Sequence, residues 1–177
     1  MNAPTDFDIG PLTWVKSEID LALERGDAAL QAFTASAVGA SGDFTQVRFC
    51  RTHLHQVHGA LTIVGLDGVT QFAEALESLL EAVEQQQRPA TPEVIALAQR
   101  AMAALRHYLD DLLGNQPNQP LRLLPLYREL QTARGHERAL PTDLFFPSLG
   151  VRPPRRAGGT PKIGRAEFQQ RLRQQRA

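Results

Sequence analysis

Val47-Arg48-Phe49-Cys50-Arg51-Thr52-His53-Leu54-His55-Gln56-Val57-His58-Gly59-Ala60-Leu61-Thr62-Ile63-Val64 decides the fold, because its apolar residues return at every third or fourth position. Val47, Cys50, Leu54, Val57, Leu61 and Val64 fall on one stripe of an amphipathic helix and are expected to be its buried seam. At about 100° per residue, His55 points roughly 120° from the centre of that stripe, together with Arg48, Gly59 and Thr62, and is expected to face water. Gly59 follows one turn later, and a glycine inside a helix costs about 0.5–1 kcal/mol relative to alanine. Room for a large group beside His55 is one reason to keep it.

Working outward, the helical period persists on both sides. Leu12, Val15, Ile19, Leu23, Leu30 and Phe33 form an earlier stripe that begins near Pro11 and keeps phase through Gly26-Asp27. Gly39, Ser41, Gly42 and Asp43 read as a loop, with Asp43 as the N-cap of the His55 helix and Gly65 as its end. A third stripe runs through Val69, Phe72, Ala73, Leu76, Leu79, Leu80 and Val83, starting at Asp67 or Gly68. Thr91-Pro92-Glu93 is a strong helix start, an N-cap followed by proline and an acid in the first turn. The helix it opens carries Val94, Leu97, Ala98, Ala101, Leu105, Tyr108, Leu109 and Leu112 inward and stops at Gly114.

Four amphipathic helices on short loops bury all their stripes in an up-down bundle, so the expected class is all-α, with residues 11–114 as the four-helix bundle. Residues 1–10 read as a leader. Residues 115–150 are expected to pack on the end of the bundle as a short fifth helix, through Leu123, Leu126, Tyr127 and Leu130 with Pro125 in or at its start, followed by an extended strap carrying Leu144, Phe145 and Phe146. Residues 151–177, with Arg152-Pro153-Pro154-Arg155-Arg156, read as linker and tail toward a further module, which suggests the amino-terminal part of a longer protein.

Composition narrows the function. The chain has 177 residues, room for one domain with a proper core, and 19 basic residues balance 19 acidic ones. No global charge argues for nucleic acid or an anionic membrane. The single cysteine, Cys50, lies on the apolar stripe and fits a reducing compartment. Neither a membrane-span run nor a secretory signal pattern is seen, so a cytoplasmic protein is expected. Nucleotide-binding fingerprints and nucleophile motifs are absent, so this chain alone is not expected to be a kinase, and no cofactor is expected. Metal binding is not expected either: His53 and His55 lie about 200° apart on a helix, leaving at most His55 with His58. Glu74, Glu77, Glu81 and Glu84 give the third helix an acidic flank, read as a solvated face.

His55, Gly59 and Gly65 stand at offsets that resemble the histidine phosphotransfer domain, in which a histidine is followed by lysine at +3, glycine at +4 and a small residue near +10. Here His58 holds the lysine position. Over a longer span, Leu12-Thr13-Trp14-Val15-Lys16-Ser17-Glu18-Ile19, Val47-Arg48-Phe49-Cys50, Leu54 to Leu61, Thr132-Ala133-Arg134-Gly135 and Leu144-Phe145-Phe146-Pro147-Ser148-Leu149 resemble the amino-terminal domain of ChpA/PilL-type hybrid chemotaxis kinases of the type IV pilus twitching-motility system. That domain is also similar to FimL-like proteins. The resemblance implies a phosphorelay module with His55 as phosphoacceptor, His58 at the lysine position and Gly59 as clearance for phosphate. Its partners would be a receiver domain or response regulator, a polar localisation protein, or other domains of the same kinase. A homodimer through surface that further chain would otherwise cover is kept open. The competing expectation is a degenerate, unphosphorylated scaffold of the same fold that works by docking.

Overall fold

The computed structural model describes residues 9–35, 43–136 and 138–146. Among these the elements are α1 (Gly10–Ala35), α2 (Thr45–Val64), α3 (Asp67–Glu84), α4 (Pro92–Leu113) and α5 (Leu124–Arg134), with short 3-10 turns at Pro120–Leu123 and Pro141–Asp143. No strand occurs among the described residues, and none of their helices is long and apolar enough to cross a membrane. The leader up to residue 8, the Gly39 to Gly42 loop, and everything from Pro147 on, including the tail, lie outside the described residues.

Both ends of α2 and of α4 have local causes. Gly65 takes the left-handed conformation at φ 79°, and its N–H and that of Leu66 both bond to the Leu61 carbonyl, which stops α2. Only Leu66 separates Gly65 from α3, so α2 and α3 form a tight antiparallel hairpin. Asp43 accepts from the Thr45 N–H at 2.9 Å, while Phe44 occupies the N-cap position itself, one residue later than the sequence suggested. Thr91 caps α4 as expected, its hydroxyl accepting from the Val94 N–H at 3.3 Å. At the far end of α4 the left-handed residue is Asn115 (φ 60°), whereas Gly114 keeps φ −77°. Asparagine tolerates that region through its short polar side chain.

The seam expected on α2 is buried without exception. Helix α1 lies along α2, α2 along α3, and α4 closes the bundle against α1 and α3. Helix α1 continues unbroken through Gly26, where a Cβ would sit 3.3 Å from both Cys50 Sγ and Met102 Sδ at the meeting of α1, α2 and α4. Lys16, buried on the same helix, is neutralised by Asp20 at 2.5 Å and Asp110 at 2.6 Å, so α1 and α4 are also tied by charge.

Helix α5 differs from the expectation that it covers the bundle's end. Pro120 packs on Gly68 at the start of α3, and Arg88, just past the end of α3, donates to the Arg134 carbonyl at 2.8 Å. The segment therefore runs alongside α3, in the same direction. Arg100 of α4 pairs with Glu129 at 2.6 Å on its other side. Helix α3 is thus flanked by α2, α4 and α5, which explains why Ala75 and Thr70 are buried beside its main stripe. The strap then returns to the beginning of α3, where Leu144 is fully buried and its carbonyl faces Gly68. Phe145 and Phe146 stay about half exposed and line an open cavity with Pro120 and Leu121, so only the leucine is tucked in.

Candidate functional site

Helix α2 turns His55 away from its seam, and the ring is 75% exposed. Across the hairpin, α3 presents Glu77, whose side chain is 15% exposed. Its Oε1 lies 2.9 Å from His55 Nδ1 and its Oε2 lies 3.1 Å from His58 Nδ1. A carboxylate oxygen only accepts, so both rings donate from Nδ1 and carry their hydrogen there. The two rings stand nearly perpendicular, at 89°, with centroids 6.3 Å apart. His58 is less exposed than His55, at 27%, and its partner is Glu77 rather than the other histidine.

The same pattern repeats two turns along. Arg48 Nε and Arg51 Nε each lie 2.7 Å from one oxygen of Glu84. Burial pushes the Glu84 carboxyl upward, but the hydrogen bonds from Arg48 and Arg51 outweigh it and hold the group below its ordinary value. Pairs one turn apart on α2 thus face single glutamates two turns apart on α3, as antiparallel helices with matched 3.6-residue periods allow.

Gly59 faces outward beside His55, and a Cβ built there would meet nothing within 4 Å. No neighbouring helix of the described residues needs the missing side chain. Arg48 and Thr62 are exposed on the same face as His55, as their spacing required. His53 is apart from this group, its Nδ1 facing Gln56 Oε1 at 3.4 Å. Cys50 is buried against the bundle interior, and desolvation pushes its thiol up to about 12, with the charge of Asp27 acting in the same direction.

Glu77 is the residue that sequence reasoning passed over by treating the whole α3 flank as solvated. The structure splits that flank: Glu74 and Glu81 are exposed, whereas Glu77 and Glu84 turn toward α2. A signal was available, since Glu77 lies about as far past the Gly65-Leu66 turn as His55 lies before it. One ligand-type atom from each of His55, His58 and Glu77 lies within 4.8 Å of the others, which enlarges the His55 and His58 pair seen in the sequence to three donors.

The chain is similar to known proteins in sequence and in fold. The scaffold protein FimL of Pseudomonas aeruginosa is 28% identical over 136 residues, covering 76% of this chain. The chain spans only 23% of that protein's length. The phosphorylated P1 domain of CheA3 from R. sphaeroides, solved in complex with CheY6, shares the fold, with a TM-score of 0.60 at 20% identity over 69% of this chain and 93% of that one. The family model of the Hpt domain matches residues 12–114, more than half of the sequence, and the chain belongs to the Hpt domain family.

Proposed function

We propose that the protein is a phosphorelay module of a chemotaxis-type two-component system, with His55 as its phosphoacceptor. The observation that supports this reading is the His55 ring itself, exposed to solvent with Nδ1 held by Glu77 and open space at Gly59. With the hydrogen on Nδ1, the lone pair on Nε2 is the nucleophile. It attacks the phosphorus of an aspartyl phosphate on a receiver domain. The N–P bond forms as the P–O bond to the aspartyl carboxylate breaks, and that carboxylate leaves. The positive charge that develops on the ring is met by Glu77 through Nδ1–H, an interaction that strengthens as the transfer proceeds. His58 occupies the second oxygen of Glu77 and fixes the carboxylate's orientation.

The partner is a response regulator's receiver domain, as CheY6 is for the CheA3 domain of the same fold. The resemblance to ChpA/PilL-type kinases supports a place in twitching-motility signalling in the cytoplasm. The similarity to a protein named as a scaffold favours a second reading, in which this fold docks partners without carrying phosphate.

Incubation with a phosphorylated receiver from the same signalling system separates the two. An acid-labile, alkali-stable phosphate that disappears in His55→Gln, with the helical fold retained, supports the relay. A domain that binds the receiver yet never takes up phosphate, beside an active control domain, supports the scaffold.

A further inference from the structure

The geometry points to a divalent transition-metal site at His55, His58 and Glu77, of the class that takes zinc, whose occupancy blocks phosphoryl transfer to His55. The site stands on its own donors, whereas its regulatory effect rests on the relay reading above.

The donor set is two imidazoles and a carboxylate, each suited to zinc. Histidines one turn apart on a helix share a face, and the carboxylate arrives from the neighbouring helix, so the three converge without help from a loop. Zinc bonds of about 2.0–2.2 Å to nitrogen and oxygen imply ligand–ligand separations near 3.3 Å in a tetrahedron. Each imidazole lies 2.9 or 3.1 Å from its own oxygen of Glu77, and one donor atom from each of the three residues lies within 4.8 Å of the others. Rotation of the three side chains about χ1 and χ2 brings the donors to that spacing around an ion without moving the helices. The exposed side of His55 leaves the fourth position to water. The Arg48, Arg51 and Glu84 cluster is an internal contrast: its arrangement is the same, but guanidinium groups have no lone pair to offer.

Exclusion of phosphate follows from the ring chemistry, whichever nitrogen binds. If the metal takes Nδ1, the ring hydrogen moves to Nε2 and removes the nucleophilic lone pair. If it takes Nε2, the nucleophile is itself the ligand. Glu77 is withdrawn from its hydrogen bond in both cases.

The full chain is titrated with Zn²⁺ by calorimetry and with Co²⁺ by its visible spectrum, beside His58→Gln, Glu77→Gln and His53→Gln, all checked for helical content. One ion per chain is expected. Affinity should fall by at least about tenfold in His58→Gln and Glu77→Gln, since even partners outside the ligand set cost 10–100-fold, and should stay unchanged in His53→Gln. Absence of 1:1 binding, or binding that survives His58→Gln, overturns the site. Phosphate uptake from a receiver is then followed in excess Mg²⁺ with Zn²⁺ and with a zinc-selective chelator, against a control phosphotransfer domain lacking the cluster. Uptake suppressed by zinc and restored by the chelator in this chain alone supports the exclusion; uptake indifferent to bound zinc overturns it. A chain that binds zinc but takes no phosphate even with chelator refutes the relay while leaving the metal site standing.

Discussion

Glu77 and Glu84 stand two turns apart on α3, and each spreads its two carboxylate oxygens over two donors one turn apart on α2. The clamps have the same backbone register but different chemistry. Permanently charged guanidiniums hold Glu84 as a structural strut. Imidazoles, able to give up a lone pair to phosphorus or to a metal, surround Glu77. An imidazole clamp thus stands next to a guanidinium one on the same hairpin, and the outer side of the His55 ring stays open.

The two glutamates should therefore separate cleanly under substitution. Glu77→Gln keeps the side-chain shape but removes the charge that meets the developing imidazolium and frees the ring to turn. The rate of phosphoryl transfer to His55 should fall about 10²-fold, the scale expected for a misoriented reacting group. Glu84→Gln should leave that rate within about twofold, since it touches neither ring. Single-turnover transfer measured on both variants checks this; equal losses in the two would remove the special role of Glu77.

Glu84 has its own signature in stability against pH. Its native carboxyl titrates below the ordinary value of 4.5, held there by Arg48 and Arg51 against the upward push of burial. A depressed native value means that the unfolded chain binds the proton first. The stabilisation is complete above the unfolded value and is lost as pH falls through the native one. Glu84→Gln should cost about 1 kcal/mol at pH 7, as a charge-assisted but partly screened clamp does. Urea denaturation at pH 7, 5 and 3 should show the gap to the parent protein closing at the lowest pH; a constant gap would contradict the assignment.

Cys50 offers a test of the α1–α2–α4 packing. Desolvation raises its thiol to about 12, so almost no thiolate exists near neutrality, and the sulfur lies under Gly26. A thiolate-reactive disulfide reagent should leave the native chain unlabelled over the time in which it fully labels the urea-unfolded chain. Rapid labelling of the native state would mean that the helices part far more readily than their packing implies.

The α2 face was legible because a 3.6-residue period fixes it residue by residue: Val47, Cys50, Leu54, Val57, Leu61 and Val64 are buried and His55 is exposed, as their spacing requires. Gly65 and Thr91 were legible because caps act through their own backbone neighbours. Contacts between helices were harder to read. Lys16 looks like a surface lysine until Asp110 arrives from α4. Periodicity alone does not say which members of the Glu74 to Glu84 flank turn inward; that depends on the register of the α2–α3 hairpin. The stripe of helix α5 does not say which part of the bundle it meets; the feature that seats it alongside α3 is Gly68, a single residue whose role appears only when Pro120 and Leu144 come to rest on it.

Gly59 and Gly68 make opposite predictions, and the contrast tests both faces of the hairpin. At Gly59 a Cβ meets open space, so Gly59→Ala gains helix propensity without a clash. It should stabilise the fold by about 0.5–1 kcal/mol. At Gly68 a Cβ would run into the Leu144 carbonyl and, at 2.7 Å, the Pro120 ring. Neither is the flexible end of a side chain. Gly68→Ala should therefore cost about 1–3 kcal/mol, the usual penalty for overpacking, or release the strap and expose Leu144. Thermal melts resolve the two, because 1 kcal/mol shifts the midpoint by roughly 2–4 °C in a chain of this size. Hydrogen exchange at residues 138–146 then distinguishes general destabilisation from local release of the strap. If Gly68→Ala melts like the parent with the strap protected, the close approach of Leu144 and Pro120 to α3 is wrong. If Gly59→Ala destabilises, the space beside His55 is occupied by something other than solvent.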